Sequence, residues 1–414
     1  MQPAPRQSPT HARYWVIVFA VTLAVLSYID RVAISQAAEP MSHDLHLSKS
    51  AMGLIFGAFA LSYSLFEIPG GLLGDRIGPR RVLVRIVLAW SAFTALTGAA
   101  WSFASLWTIR FCFGAGEAGC FPNLTKAFSL WIPPRERARA QGIMWAFARW
   151  GGAFTPPLVI FAFEFMNWRA AFSAFACIGL VWCVLFYRWF RDRPADHKSV
   201  NAAELAMIGT APMIAHVSPP WGKLILHRTM WMLWIQYFCV SFGWYFYITW
   251  LPTYLQEFRK LDAATAARLA IFPLLFGGFG SLASGAVSAK APKMRRPIAV
   301  LGMVGAAVLI CVFTRITPAL PAMLVLGMAS FANDLAVPAA WHACMDIGGK
   351  YSGTVSGSMN MMGNLAGFTA PVFGGFLLDH THGNWNLLLY VMAVVYVVGA
   401  MCWPFIDAET PIAL

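Results

Sequence analysis

The sequence contains few charged residues. Asp, Glu, Lys and Arg make up only 12% of its 414 residues, whereas soluble domains typically contain about 25%. Hydrophobic residues account for 59% of the chain, and its mean hydropathy is +0.61. A helical span across a bilayer needs about 20 apolar residues, and stretches of this kind recur from Tyr14 to Phe405. The composition therefore predicts an all-α integral membrane protein with the lipid bilayer as its solvent.

The chain also lacks the short motifs of common enzymes and motors. It contains no GxxxxGK[ST] phosphate loop, no HExxH pair and no CxxC pair, so the sequence predicts neither an ATP-driven pump nor an enzyme. The eight cysteines lie mostly in apolar runs and are expected to be packing residues, and we predict no cofactor and no metal site. The net charge of +12 lies mainly in loops, which favours membrane topology over a nucleic-acid partner.

Twelve apolar stretches predict twelve transmembrane helices in two groups of six. The predicted spans lie near residues 14–36, 51–73, 80–102, 104–128, 138–163, 167–190, 228–256, 263–289, 296–316, 319–344, 350–378 and 384–406. The long polar stretch between the groups is residues 191–227. We therefore expect a first bundle over residues 1–190, a cytoplasmic linker over 191–227 and a second bundle over 228–414.

Basic residues are distributed unevenly among the predicted loops. The even-numbered loops hold Arg76, Arg80, Arg81, Arg135, Arg137, Arg139, Lys290, Lys293, Arg295, Arg296 and Lys350. The odd-numbered loops hold chiefly Lys49, Arg169, Arg259 and Lys260. Under the positive-inside rule this asymmetry places both termini in the cytoplasm.

The two halves resemble each other weakly. Arg80–Arg81 before the third span match Arg295–Arg296 before the ninth, at an offset of 215 residues. Phe154–Thr155 in the fifth span match Phe368–Thr369 in the eleventh, at an offset of 214. Two anchors at nearly one offset predict a pair of pseudo-symmetric six-helix bundles.

Several motifs carry a family resemblance. Residues 70–81, GGLLGDRIGPRR, resemble the loop signature of the major facilitator superfamily. Residues 110–119 (RFCFGAGEAG) and 131–137 (WIPPRER) resemble its anion:cation symporter branch, which includes sialin, the vesicular glutamate transporters and bacterial galactonate and hexuronate permeases. Shorter matches follow: YIDR at 28–31, WLPTY at 250–254 and MNMMGNLAG at 359–367. The resemblance implies a monomeric carrier of the bacterial inner membrane that moves a small organic anion with protons.

The loop signature contains a candidate gate. Asp75 lies at the end of the second span beside Arg76, Arg80 and Arg81. A carboxylate at this position can hold the cytoplasmic side closed in one state and release it in another. We predict that these four residues form the gate; the alternative is that they only anchor the topology.

Arginines inside the membrane are candidate substrate ligands. An ionisable group at the centre of a span costs about 2.5–3.5 kcal/mol, so it is retained for a function. Arg110 and Glu117 are seven residues apart and lie on one face of a helix, and we expect them to point with Arg31 into one cavity. A guanidinium binds a carboxylate through two hydrogen bonds, and the resemblance also implies that Arg31 and Arg110 bind the substrate. Alternatively, they only neutralise Asp30 and Glu117.

The two carboxylates are candidate proton carriers. Asp30 and Glu117 each lie close in sequence to an arginine, and a buried carboxylate beside a guanidinium is balanced between its charged and neutral forms. A substrate that occupies the arginine would leave the carboxylate free to take up a proton, which couples the two ligands. The sequence therefore predicts proton-coupled symport.

Other polar residues could complete the site. Arg149 could contact a second anionic group of the substrate or pair with Glu164 or another acid, and Asp334 could be a further protonation site. Hydroxyl, amide and aromatic side chains are expected to contact the substrate, although hydrogen bonds between helices are the alternative for the polar ones. These residues are Tyr28, Tyr63, Tyr245, Trp341, Ser356 and Asn360.

Two other functions fit part of the pattern. A sodium-coupled anion carrier would share the arginines, because the branch includes sodium-coupled members. A proton-coupled antiporter or exporter of amphipathic compounds would share the loop signature, but an acidic and aromatic cavity would suit it better than paired arginines. The arginines therefore favour an importer of a small organic anion, such as a sugar acid, that works by alternating access.

Overall fold

The computed structural model describes residues 8–47, 49–209 and 220–407, and all regular structure within them is helical. We number the long helical passes α1 to α12. The first six are α1 (Ala12–Gln36), α2 (Lys49–Ile77), α3 (Pro79–Gly98), α4 (Phe103–Glu117, then Cys120–Trp131), α5 (Pro134–Phe165) and α6 (Trp168–Trp189). The second six are α7 (Arg228–Thr249), α8 (Ala263–Leu269, then Ile271–Lys290), α9 (Arg295–Phe313), α10 (Ala319–Asp334, then Ala336–Gly348), α11 (Ser352–His380) and α12 (Trp385–Cys402).

Among the described residues, eight stretches are apolar and long enough to cross a membrane by length and composition alone. One of the eight, residues 319–378, covers both α10 and α11. The stretches leave out α4, α5 and α7. Helix α4 is divided, α5 carries several charged residues and α7 is rich in Trp and Tyr. Each part of α4 is too short to cross a membrane alone, and polar side chains lower the hydropathy of α5 and α7. All three helices contribute to the central cavity described below.

Helix α4 is two helices joined at a left-handed glycine. The sequence predicted one span near residues 104–128, but the first part ends at Glu117 and the second begins at Cys120. Gly119 between them has φ +85°, a conformation that L side chains rarely adopt. A Cβ at Gly119 would lie 2.6 Å from the Cα of Gly70. The break therefore lets α4 pack directly against the backbone of α2.

The two halves meet through close backbone contacts near one end of the bundle. We call it the basic end, because the helix ends that flank the turns between α2 and α3, α4 and α5, and α8 and α9 are rich in arginine and lie there. A Cβ at Gly71 of α2 would lie 2.3 Å from the carbonyl oxygen of Gly353 in α11. A Cβ at Gly142 of α5 would lie 2.6 Å from the carbonyl oxygen of Ser281 in α8. Glycines thus allow α2 to approach α11, and α5 to approach α8, more closely than other residues would.

The stretch between the halves packs against the start of α1. Residues 210–219 of the predicted linker lie outside the described part, but a short helix, Ala202–Ile208, precedes them. Its buried Glu204 accepts hydrogen bonds from the backbone N–H of Ala12 at 3.2 Å and from the backbone N–H of Arg13 at 3.1 Å. The Arg13 guanidinium also contacts the Glu204 carboxylate at 3.1 Å. This carboxylate satisfies amide donors that the first turn of a helix leaves free.

Candidate functional site

A cavity lies between the two halves. Its wall is formed by α1, α4, α5, α7, α10 and α11. The lining residues are Tyr28, Arg31, Phe121, Trp145, Arg149, Tyr237, Val240, Ser241, Trp244, Tyr245, Val337, Asn360, Gly363 and Asn364. Two guanidiniums, amides and tyrosines thus share one space with aromatic rings, a combination suited to a small polar anion.

Arg31 lies on the cavity wall and is paired with Glu117. Its Nε and Nη2 atoms are each 2.9 Å from Oε1 of Glu117, which is fully buried. The Ser27 hydroxyl donates a further hydrogen bond to the same oxygen. The Arg31 guanidinium also lies 4.6 Å from the ring centre of Tyr63. Arg31, which the sequence predicts to bind the substrate anion, and Glu117, a predicted proton carrier, are therefore in direct contact.

Arg149 is the second guanidinium of the cavity, and its partner comes from the other half of the chain. Its Nε and Nη2 atoms donate to the two carboxylate oxygens of Asp334 in α10, at 2.7 Å and 3.1 Å. Its Nη1 atom donates to the Tyr28 hydroxyl at 3.2 Å, and its guanidinium stacks 3.3 Å from the ring centre of Trp244. The sequence left open whether Arg149 pairs with Glu164 or another acid; the structure shows that its partner is Asp334.

Tyrosine and asparagine side chains complete the wall. Tyr28 contacts both guanidiniums, since its hydroxyl accepts from Arg149 and its ring centre lies 5.8 Å from the guanidinium carbon of Arg31. Tyr245 donates to Oδ1 of Asn364 at 3.2 Å. Together with Asn360, these residues place hydrogen-bonding groups from both halves around the same space.

Arg110 and Asp30 lie behind the cavity wall. Arg110 is buried, with its guanidinium carbon 4.5 Å from the ring centre of Phe113 and 5.2 Å from that of Phe59. Its Nε atom has no hydrogen-bond partner among the described residues. Asp30 is buried and accepts a hydrogen bond from the indole N–H of Trp90. Helical spacing put Arg110 and Glu117 on one face, but Glu117 contacts Arg31 while Arg110 packs among aromatic rings.

Three further predicted residues also lie outside the lining. Trp341 is buried, and its Nε1 atom donates to the hydroxyl of the lining residue Tyr237 at 2.8 Å. Ser356 donates to the Ser352 carbonyl at 2.6 Å within α11. Tyr63 is fully buried beside Arg31. Trp341 and Tyr63 thus each contact a lining residue, whereas the Ser356 hydroxyl bonds within α11.

Glu67 is a buried carboxylate that the motif analysis missed. It accepts a hydrogen bond from Nδ2 of Asn360 at 2.6 Å and another from the backbone N–H of Gly119 at 3.1 Å. It therefore ties α2 to the break in α4 and, across the two halves, to α11. An acidic residue in the middle of an apolar span was the available signal, and its position just before Pro69–Gly70 drew attention to the loop signature instead.

Asp75 joins the halves at the basic end. Its carboxylate accepts hydrogen bonds from the backbone N–H groups of Gly353 at 3.1 Å and Thr354 at 2.6 Å, at the start of α11. The buried Lys126 lies 3.0 Å from the Asp75 carboxylate and donates to the Lys350 carbonyl at 2.6 Å. The sequence analysis had not included Lys126. A carboxylate at a helix N-terminus interacts favourably with the helix dipole, so this cluster stabilises contact between α2 and α11.

The neighbouring arginines are placed differently from Asp75. The backbone N–H of Arg80 donates to Asp192 at 2.9 Å, and its guanidinium donates to the Tyr187 carbonyl at the end of α6. Burial raises the pKa of Asp192, while the Arg80 and Arg81 guanidiniums and the Arg80 N–H act in the opposite direction. Arg76 and Arg81 have exposed side chains. Arg80 thus binds elements of its own half, whereas Asp75 reaches the other half.

Two six-helix bundles around a charged central cavity define a membrane transporter. The chain belongs to the Major Facilitator Superfamily, whose family model matches residues 20–371. The resemblance stated from the motifs is confirmed, and with it the fold of two six-helix bundles.

Similar curated proteins are transporters of organic anions. A probable sulfoacetate transporter, SauU, from Cupriavidus necator is 36% identical over 406 residues, covering 95% of this chain and 94% of that protein. A probable L-galactonate transporter from Escherichia coli is 29% identical and covers 92% of this chain and 86% of that protein. A hexuronate transporter from Bacillus subtilis is also 29% identical, with 88% of each chain covered. The chain is therefore a multi-pass membrane transporter of the sugar-acid and anion branch, and not an enzyme.

Solved structures support the same fold. The proton:xylose symporter XylE, bound to 6-bromo-6-deoxy-D-glucose, matches with a TM-score of 0.70 at 15% identity, over 96% of this chain and 97% of that one. The human organic anion transporter MFSD10 matches with a TM-score of 0.69 at 17% identity, over 96% of this chain and all of that one. At these identities the likeness concerns the fold alone.

Proposed function

We propose that the chain is a proton-coupled symporter that imports a small organic anion, such as a sugar acid or a similar carboxylate. The observation that carries this proposal is the contact between Arg31 and Glu117 on the cavity wall. A guanidinium in that position can bind the substrate carboxylate through two hydrogen bonds. The printed functions of the curated relatives, which include sulfoacetate, galactonate and hexuronate transport, support the same class of substrate.

The coupling of protons to substrate follows from competition between the substrate anion and Glu117 for Arg31. When the anion binds the guanidinium, Glu117 loses its ionic partner inside the membrane and takes up a proton, because an unpaired buried charge is costly. Ser27 keeps one hydrogen bond to the carboxyl group in either form. Asp30 is the second proposed proton carrier, and Arg110 acts on both acids from behind the wall.

The remaining predicted residues serve binding in two ways. Tyr28, Tyr245, Asn360 and Arg149 contact the substrate directly, since they line the cavity. Tyr63, Trp341 and Ser356 hold the lining residues in place.

The side of the membrane with which the cavity exchanges substrate follows from the orientation of the basic end. We propose that the protein lies in a bacterial inner membrane as a monomer, with both termini and the basic end in the cytoplasm, as the positive-inside rule predicts. The Asp75 cluster then closes the cytoplasmic side, so that the cavity exchanges substrate with the opposite side. Transport requires these contacts to break while the two bundles rock about the cavity. Arg76, Arg80 and Arg81 assist the gate by anchoring its loop.

The coupling ion and the role of Glu117 can be tested together. Purified protein in liposomes is expected to accumulate a labelled organic anion under an inward proton gradient, but not under a sodium gradient alone. Glu117→Gln is expected to abolish this accumulation and still exchange labelled for unlabelled substrate. A Glu117→Gln protein that accumulates substrate normally would remove Glu117 from coupling. Accumulation driven by sodium would indicate a sodium-coupled carrier, and efflux of an amphipathic compound against a proton gradient would indicate an exporter.

A further inference from the structure

The cavity holds two guanidiniums, and each is occupied by an acid of the protein itself. Arg31 is paired with Glu117 within the first half, and Arg149 is paired with Asp334 across the two halves. Both arginines line the same space and both contact Tyr28. They are therefore close enough for one small molecule to reach both.

The Arg149–Asp334 pair has the geometry of a bound anion. The two carboxylate oxygens of Asp334 face Nε and Nη2 at 2.7 Å and 3.1 Å, which is the bidentate arrangement that arginine uses for carboxylate ligands. Stacking on Trp244 fixes the plane of the guanidinium and leaves its edges for hydrogen bonding. Asp334 also keeps a second donor, since Nδ2 of Asn333 lies 3.0 Å from its Oδ1. The acid could therefore release Arg149 without losing every partner.

We propose that the substrate is a dianion, and that its second anionic group replaces Asp334 on Arg149 while its first replaces Glu117 on Arg31. This inference rests on the proposed function and names the class of substrate. Before the substrate binds, the Asp334 carboxylate occupies the position on Arg149 that the second anionic group then takes, and we call this its stand-in role. Because the pair joins α5 to α10, its exchange for substrate also replaces a direct link between the halves with one that passes through the ligand.

Matched anions that differ by one charge test the proposal. Binding of succinate would be compared with binding of succinamate, and galactarate with galactonate, by calorimetry on the purified full-length protein. In each pair of anions, we expect the dianion to bind at least about tenfold more tightly than the monoanion, as one charge-assisted bidentate contact allows. Arg149→Gln is expected to bring the ratio to about threefold or less, because it removes the guanidinium that binds the second anionic group.

Asp334→Asn separates the stand-in role from a structural one. Removal of the competing charge frees Arg149, so dianion affinity is expected to rise and the ratio of dianion to monoanion affinity to increase. The double variant Arg149→Gln/Asp334→Asn leaves no unpaired charge, and it should lack the dianion preference. Because each readout is a ratio within one protein sample, partial loss of folded protein does not alter it. Arg188→Gln, the same change at an exposed position, is the matched control and should keep the wild-type ratio.

Three results would overturn the proposal: equal binding of both anions in a pair, an unchanged ratio in Arg149→Gln, or weaker dianion binding in Asp334→Asn. If anions bind without discrimination by charge but still require Arg31, only this inference fails. If no organic anion binds, or binding is indifferent to Arg31, the proposed function fails as well.

Discussion

Arg31 and Arg110 carry the same charge in different surroundings. Arg31 reaches the cavity and pairs with Glu117, whereas Arg110 is buried between the rings of Phe59 and Phe113. A guanidinium on the wall can bind a carboxylate directly. One behind the wall acts on the substrate only through its electric field.

Replacing each arginine by glutamine should therefore have unequal effects. We expect Arg31→Gln to weaken binding of the organic anion by about tenfold or more, because hydrogen bonds between charged groups contribute about 1.5–3 kcal/mol. Arg110→Gln should weaken it by about threefold or less, a change of under 1 kcal/mol. Calorimetric titration of both variants measures the difference. A larger loss in Arg110→Gln would show that Arg110 binds the substrate.

Glu67 is expected to contribute to stability through its two acceptor oxygens. Glu67→Ala leaves the Asn360 amide and the Gly119 N–H without these acceptors, and each buried unsatisfied group costs about 1–3 kcal/mol. Glu67→Gln keeps one acceptor oxygen, so its unfolding temperature should lie between those of wild type and Glu67→Ala. Thermal unfolding of the three proteins in one detergent gives the order. Equal unfolding temperatures for wild type and Glu67→Ala would contradict this role.

At the scale of elements, the break in α4 depends on one glycine. Gly119 has φ +85°, and its Cα faces the backbone of Gly70. A side chain at this position is opposed both by local sterics and by the neighbouring helix.

Gly119→Ala should thus destabilise the protein strongly. The left-handed conformation costs an alanine about 1–2 kcal/mol, and its Cβ would lie 2.6 Å from backbone atoms that cannot rotate away. Gly57→Ala, in the interior of α2, is the matched control, since no atom of the residues that the structure describes lies within 4 Å of a Cβ there. That change should be neutral or stabilising by about 0.5–1 kcal/mol. Thermal unfolding and monodisperse yield distinguish the two, and similar behaviour of both variants would argue against a packing role for the α4 break.

The Asp75 cluster should control contact between α2 and α11. Asp75→Asn leaves the buried Lys126 without its ionic partner and weakens the interaction with the start of α11. We expect spin labels at the exposed Arg81 and Lys293, on opposite halves of the basic end, to show a larger fraction of long distances in the variant. Pulsed electron paramagnetic resonance measures that distribution. An unchanged distribution would mean that glycine packing alone keeps this end closed.

At the scale of the whole molecule, hydropathy and loop motifs predicted the family and the two-bundle fold. The apolar runs are long and evenly punctuated, and residues 70–81 carry a specific signature. Helix breaks were not predicted, because glycine is frequent throughout the chain and a positive φ at Gly119 has no signal of its own. Periodicity along one helix indicates which residues share a face of that helix, but it does not indicate where the helix breaks.

Partners across the two halves could not be predicted from spacing. Arg149 and Asp334 are separated by 185 residues, and Glu67 and Asn360 by 293. Helical periodicity says nothing about which helix of the other half faces a given residue. The sequence therefore identified Arg31, Arg149 and Asn360 as individual candidates, while the structure shows which of them meet at one cavity.

The most direct test of the account is uptake of labelled organic anions by liposomes that contain the purified protein under an inward proton gradient. Sulfoacetate, galactonate and galactarate form a suitable panel, with Arg31→Gln and Arg188→Gln as the variant and its control. We predict that wild type and Arg188→Gln accumulate at least one of these anions and that Arg31→Gln does not. Accumulation by Arg31→Gln at the wild-type rate would contradict the account, as would the absence of uptake by a folded wild-type protein.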